Sequence, residues 1–325
     1  MQKKIHGNKQ GLASAQHYAK VTRIWITGII CFTTVAVISA ITLFLIFAER
    51  EETPYYAMVS PTPTVSEVSV SLPETAVPQD PMQTQESNPS PDALPYIITI
   101  ECVSEPRLTY FIAEVELSDI SYLRTAFAKD KYGTKITEPV STMANRNNAI
   151  FAVSGDYYGF DSYGVIIRNY DAYRNKPDPR EDICAIFGDG TMEVYPPKGI
   201  TADELVAKNC YQSWCFGPIL VKDGVAQTKF NSSVLGANPR TGIGYLGPNH
   251  FIFIVVDGRQ GNYSQGIKMV DFAKLFEYLG CITAYNLDGG GTSTLYYDGG
   301  IMNKPSGGSE RYMSDIIYIP RYDTN

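Results

Sequence analysis

The stretch Asn286 to Gly300 reads NLDGGGTSTLYYDGG: one aspartate, Asp288, closes the apolar run CITAYNL, and three glycines and three hydroxyl residues follow it. An Asp-Gly turn between strands accounts for part of this. One or two glycines would serve such a turn, and each further one adds backbone freedom worth roughly 0.5 to 1 kcal/mol on folding. Main chain without side chains lets a ligand approach the backbone N–H groups closely, beside a carboxylate. Four other segments carry candidate groups next to apolar runs. FIFIVV (Phe251 to Val256) ends in Asp257-Gly258-Arg259, and AIFAVSGDYYG presents Gly155, Asp156, Tyr157 and Tyr158. NPRTGIG sets Arg240 and Thr241 before an apolar run, and SERYMSDIIYI sets Glu310 and Arg311 before the last one. Taken singly, the last three are better read as a turn or a surface ion pair, and Asp257 reads equally well as a turn residue or a functional one. The repetition of Asp-Gly at two apolar run ends is what favours a shared site. Tyr157 and Tyr158 follow Asp156 directly.

Absences narrow the chemistry. Beyond residue 48 the chain holds one histidine, His250, in the turn-like GPNHF, so a Ser-His-Asp or Cys-His device would hang on one poorly placed imidazole. It has no GxSxG elbow, HExxH helix or GxxxxGK phosphate loop. Acid and base work therefore falls to carboxylates, with arginine supplying positive charge. Residues 96–325 contain 21 Lys and Arg against 26 Asp and Glu, without a basic block, which argues against a nucleic acid partner. Cys31 lies in the first apolar stretch, and Cys102, Cys184, Cys210, Cys215 and Cys281 follow it. The spacing Cys210 to Cys215 is the closest pair, and an odd count leaves at least one thiol over. Zinc would need closer ligand pairs than these spacings offer. No cofactor is implied; a divalent cation near Asp257 or Asp288 is allowed but not required.

The elements that must position these groups follow from patterning. FIFIVV reads as a buried strand. In GIKMVDFAKLFEYLG, Met269, Phe272, Leu275, Phe276 and Leu279 recur at helical spacing and Gly280 supplies the stop. CITAYNL reads as a second strand. A strand, helix and strand of this length predict a parallel pair with a right-handed crossover, so that both strands end at one sheet edge and Asp257 and Asp288 face one crevice. An antiparallel arrangement of the two would separate them. The expected fold class is α+β, a central β-sheet core with flanking helices in a single domain over residues 96–325.

Three segments precede that domain. Residues 1–23 carry five positive charges and no acid, and residues 24–48 run uncharged and mostly apolar, long enough to cross a bilayer. The run lacks the small-x-small cleavage site of a signal peptide, so it reads as an uncleaved anchor. Basic residues before it and Glu49, Glu51 and Glu52 after it predict a cytoplasmic amino terminus and an extracellular carboxyl-terminal domain. Residues 49–95 hold nine prolines, eleven Ser or Thr and eight acids against one arginine, a composition expected to stay an extended, disordered linker.

Taken together, these segments resemble the phosphodiester glycosidase family. NLDGGGTSTLYYDGGIMNKPS followed by SERYMSDIIYI is similar to that family's closing signature, and AVSGDYYG, FGPILVKDG, NPRTGIG and VVDGRQGNYSQGI match in order before it. Tyr312, Met313 and Thr292 depart from the commoner residues. The resemblance implies hydrolysis of a sugar-1-phosphodiester at the anomeric carbon. Under it, Asp288 is the expected carboxylate, with Asp156 and Asp257 as a second acid, base or hydroxyl ligand. Arg240, Arg259 and Arg311 would face the phosphate, whose paired oxygens suit a planar guanidinium. Thr241, Asn286, Gly289, Gly290, Gly291, Ser293, Thr294 and Glu310 complete the expected substrate-binding set. A membrane-tethered enzyme acting on cell-surface or exopolysaccharide glycan is the leading expectation. A non-catalytic glycan-binding protein and a partner in exopolysaccharide assembly are the alternatives. The expected partners are a glycan phosphodiester and, through one helix, the membrane.

Overall fold

The computed structural model describes residues 94–322, so the expected anchor at 24–48 and nearly all of the expected linker lie outside the described residues. Among those described, no helix is long and apolar enough to cross a membrane.

In chain order the elements are β1 (Tyr96–Glu105), β2 (Leu108–Leu117), β3 (Arg124–Phe127), α1 (Val140–Arg146), β4 (Ala149–Ser154), β5 (Gly164–Arg168), β6 (Asp171–Lys176), β7 (Ile183–Phe187) and β8 (Met192–Tyr195). Then come α2 (Ala202–Ala207), β9 (Cys210–Cys215), β10 (Ile219–Lys222), β11 (Val225–Ala226), β12 (Arg240–Gly247), β13 (His250–Val256), α3 (Met269–Tyr278), β14 (Thr283–Leu287), β15 (Leu295–Tyr297), β16 (Gly300–Ile301) and β17 (Asp315–Pro320). They form three sheets with strand orders β1-β2-β13-β12-β14-β10-β11, β16-β15-β4-β17-β3 and β6-β5-β9-β7-β8. The fold is mixed but dominated by sheet, with short helices on its flanks.

One apolar core joins all three sheets. Val115, Phe253, Ile243 and Tyr285 of the seven-stranded sheet meet Phe151, Val153 and Ile317 of the second and Ile186 and Trp214 of the third. Alternation along β2 and β13 produces this, since every second residue turns inward. The opposite face of the large sheet is covered by α3, whose Met269, Phe272, Leu275 and Phe276 are buried as their spacing predicts. Two strand glycines allow the approach. A Cβ at Gly242 would stand 2.9 Å from the Phe272 ring, and one at Gly244 would stand 2.5 Å from the Cys281 sulfur. Each buried phenylalanine contributes on the order of 2 kcal/mol.

The predicted parallel pair is corrected in one respect. β13 and β14 do not bond to each other, because β12 lies between them and pairs antiparallel with both, Arg240 opposite Val256 and Thr241 opposite Leu287. Two strands antiparallel to the same neighbour run in the same direction, so β13 and β14 still end at one edge. The short hairpin connection between β12 and β13 makes this arrangement, which the strand-helix-strand pattern alone does not reveal.

The five cysteines among the described residues are thiols: Cys184, Cys210, Cys215 and Cys281 are buried and Cys102 is exposed. Cys210 and Cys215 occupy the two ends of β9, whose extended backbone holds them apart.

Candidate functional site

Asp288 follows β14 directly, and its position is fixed through the main chain. Its N–H donates to Gly155 O at 3.0 Å. Its carbonyl accepts from Ser154 Oγ at 3.2 Å, and that hydroxyl lies 3.0 Å from Thr241 Oγ1. The ends of β4, β12 and β14 are thereby tied at one point. The Asp288 side chain is 5% exposed. Burial pushes its carboxyl up to about 6, opposed chiefly by Arg311, whose Nη2 lies 3.8 Å from Oδ2. The group is thus ionised at neutral pH but held reluctantly so, the state that general-base or nucleophilic chemistry requires of a carboxylate.

Two cavities meet at Asp288 and Arg311. The larger, about 710 Å³, is lined by Arg240, Arg259, Glu181, Asn286, Gly289 and Gly290 as well as these two. The smaller, about 280 Å³, is lined by Asp156, Tyr157, Phe160, Thr292 and Tyr312. The rings of Tyr157 and Phe160 stack with centroids 4.6 Å apart, and both are exposed at the mouth.

Of the four arginines that line the larger cavity, Arg180 and Arg311 have carboxylate neighbours, whereas Arg240 and Arg259 have none. Arg240 is 4% exposed and donates only to carbonyls, Ile267 O at 3.1 Å and Val234 O and Gly236 O at 2.8 Å. Burial, with Arg259 as a like charge, pulls its guanidinium down to about 10. Arg259 bonds the side-chain oxygen of Asn238 at 2.9 and 3.2 Å. Two guanidiniums close together, with no carboxylate on either, form an anion site. Gly290 completes it: its φ is +70°, and a Cβ there would stand 3.1 Å from Arg259 Nη2.

Several expected site residues are elsewhere. Asp257 is turned away from both cavities and its oxygens are fully engaged. They accept from Asn303 Nδ2 at 2.8 Å, Lys304 N at 3.0 Å and Tyr263 OH at 2.8 Å, so the carboxylate organises the loop after β16. Asp156 touches the smaller cavity, but its carboxylate faces a buried ion cluster. Arg168 Nη2 lies 3.1 Å from Asp156 Oδ2 and 2.8 Å from Asp315 Oδ2, and Tyr158 N and Cys215 N also donate to Asp156. Tyr158 is a core residue over this cluster, with the Arg168 guanidinium 5.8 Å from its ring. Glu310 accepts from Ser141 N at 2.9 Å and from the Ser141 hydroxyl, at the start of α1. Ser293 and Thr294 are buried and line neither cavity, whereas Thr292 does, its hydroxyl donating to Gly289 O at 2.7 Å. Thr241 is buried within the strand ends it joins. Asn286 donates to Gly217 O at 2.7 Å and so braces the wall. Gly291 packs against Arg311, where a Cβ would stand 3.2 Å from Cδ.

Sequence reasoning missed Arg168, Asp315 and Glu181. Asp315 stands within the SERYMSDIIYI segment, so that signature offered a hint; Arg168 and Glu181 carried no spacing signal. Two groupings bring three acidic or imidazole donor atoms within 4.8 Å of one another: Glu114, Glu116 and His250, and Asp161, Asp178 and Glu181. In the first, the His250 ring is already hydrogen-bonded to Glu114 at 2.8 Å. In the second, Arg180 answers Asp178 at 2.9 Å and Asp161 at 3.4 Å. Neither arrangement demands a metal.

Over 209 residues the chain is 35% identical to the SPbeta prophage-derived uncharacterized protein YomE of Bacillus subtilis (strain 168), a match covering 60% of this chain. It spans about a third of that relative's length, 32%. The fold is similar to that of the zebrafish N-acetylglucosamine-1-phosphodiester alpha-N-acetylglucosaminidase catalytic domain, auto-inhibited by its pro-peptide. That likeness has a TM-score of 0.57 at 19% identity, over 71% of this chain and 85% of that one. The family model described as phosphodiester glycosidase matches residues 147–320, more than half of the chain and every strand end that meets at Asp288, and the chain belongs to the phosphodiester glycosidase family.

Proposed function

We propose that this protein hydrolyses a sugar-1-phosphodiester at the anomeric carbon, with Asp288 as the working carboxylate. The observation that carries the reading is the union, in one cavity, of a buried aspartate with Arg240 and Arg259, two cations that lack carboxylate partners. A lone carboxylate repels a phosphodiester; these guanidiniums reverse the sign of the field at its side. Cleavage passes through an oxocarbenium-like state, which an adjacent carboxylate stabilises as nucleophile, base or counter-charge. The departing phosphate monoester is a far better leaving group than a sugar alkoxide, so one carboxylate with arginines suffices for the bond-breaking step. The glycine-rich turn adds backbone N–H donors without side-chain obstruction. The stacked rings of Tyr157 and Phe160 suit the apolar face of a sugar at the mouth of the smaller cavity.

In this reading Asp156 serves the ion cluster beside the smaller cavity and Asp257 the loop after β16, and Asp288 alone meets the substrate as an ionised carboxylate. The apolar span at 24–48 would tether the domain to the outer face of a cell membrane, where cell-surface or exopolysaccharide glycans are the substrates. The test offers the methyl phosphodiester of N-acetylglucosamine-1-phosphate to the full-length chain and to Asp288→Asn. Turnover by the wild type that falls by at least about a thousandfold in the variant, with binding retained, supports the hydrolase. Binding by both without turnover by either identifies a glycan-binding protein instead.

A further inference from the structure

Glu181 lines the larger cavity together with Arg180, Arg240 and Arg259, yet nothing in the preceding reading uses it. It lies just before β7, in the loop that also supplies Asp178 and Arg180. The nearest cation is engaged elsewhere: Arg180 donates from Nε and Nη2 to Asp178 at 3.1 and 2.9 Å, and from Nη2 to Asp161 at 3.4 Å. The Glu181 N–H faces the Asp178 carboxylate, but among the described residues the Glu181 carboxyl has no hydrogen bond or ion pair. One of its oxygens stands within 4.8 Å of oxygens of both Asp161 and Asp178. We propose that Glu181 is a second working carboxyl of the cavity, present as the neutral acid and donating a hydrogen bond to a non-bridging oxygen of the phosphodiester.

The physical argument concerns the sign of charge. An ionised carboxylate in this wall would oppose an anionic substrate, whereas a carboxylic acid in the same place is a donor. The surroundings favour the acid. Burial comes first, then the charges of Asp178, Asp161 and Asp156, with Arg180 opposing, and together they push the carboxyl up to about 8. Cys215 and Tyr285 also face it, and both are neutral because burial raises thiol and phenol alike. The group is therefore mostly protonated at neutral pH and ionises as the medium turns alkaline. Since its folded value lies above the ordinary one, hydrogen-bond donation is present below that value and lost as pH rises through it. This inference rests on the phosphodiester reading of the cavity.

The test measures binding of diethyl phosphate, whose single charge stays constant, to the full-length chain by calorimetry from about pH 7 to about pH 9, above the titration of Asp288 at about 6. The range ends below the titration of Arg240, at about 10. Wild-type affinity should weaken about tenfold between neutrality and the upper limit, following one deprotonation with a midpoint of about 8. Glu181→Gln keeps a neutral donor, so it should bind about threefold more weakly than the wild type near neutrality and no longer respond to pH. Glu181→Ala should bind about tenfold more weakly throughout. Retention of the alkaline loss in Glu181→Gln overturns the proposal, as does abolition of wild-type binding by EDTA, which would mean that a cation bridges the acidic groups. Because binding is read without turnover, the two readings separate. A wild type that binds with this pH profile but does not hydrolyse sinks the hydrolase and keeps Glu181. A hydrolase whose Glu181→Gln variant titrates like the wild type sinks only Glu181. Failure of the wild type to bind the anion at all sinks both.

Discussion

Replacing Asp288 by asparagine should stabilise the folded chain at and above neutral pH while abolishing turnover. The carboxyl is 5% exposed and burial moves it from its ordinary 3.8 to about 6. At about 1.4 kcal/mol per tenfold, that displacement corresponds to about 3 kcal/mol of disfavoured charge in the folded state. The sign follows from the direction of the shift. Below the ordinary value both states carry a neutral acid and no penalty exists; the penalty grows as pH rises toward the folded value and is complete above it. Asparagine has nearly the same shape and no charge, so wild type and variant should be equally stable near the lower value and diverge with pH. The pull of Arg311, which is 53% exposed and 3.8 Å away, is already contained in that folded value. The net gain above neutrality is therefore about 3 kcal/mol, or a rise of about 1.5 M in the urea midpoint at a slope near 2 kcal/mol per M. Urea unfolding of both proteins at three pH values reads this directly. A variant that is no more stable than the wild type above neutrality would refute the argument, as would a difference that does not change with pH.

Three further outcomes follow from the same geometry. Arg168→Met leaves Asp156 and Asp315 buried without their cation, and should cost about 3 to 5 kcal/mol in urea unfolding at neutral pH, with part recovered when Asp315→Asn is added. Gly290→Ala imposes a side chain at φ +70° against Arg259, so it should destabilise by about 1 to 2 kcal/mol and raise KM more than it lowers kcat. Asp257→Asn loses acceptor capacity for Lys304 N and Asn303, and should lower stability by about 1 to 3 kcal/mol while leaving the acid limb of the pH-rate profile, set by Asp288, at about 6.

The candidate site was legible in outline. Residue types announced a glycine-lined turn with a carboxylate, and the apolar runs before Asp257 and Asp288 announced strands with a common end. That expectation of a common end holds, although β12 rather than a direct parallel bond brings it about. The two aspartates looked equivalent because each follows an apolar strand and precedes a glycine. They differ because Asn303, Lys304 and Tyr263 surround one and a cavity surrounds the other. Asp156 was indistinguishable from a free acid for the same reason, since Arg168 and Asp315 reach it from distant positions.

By itself the sequence determined the local terms: which segments bury a face, where α3 starts and stops, and where side chains are excluded from the backbone. Those terms depend on neighbours within one turn or strand, so a linear pattern encodes them. Only the tertiary structure decided which charges are answered and which are left facing open space. Coulombic and hydrogen-bond satisfaction depends on groups brought together from far apart along the chain, which is why Asp257 is saturated while Arg240 and Arg259 are left without carboxylate partners.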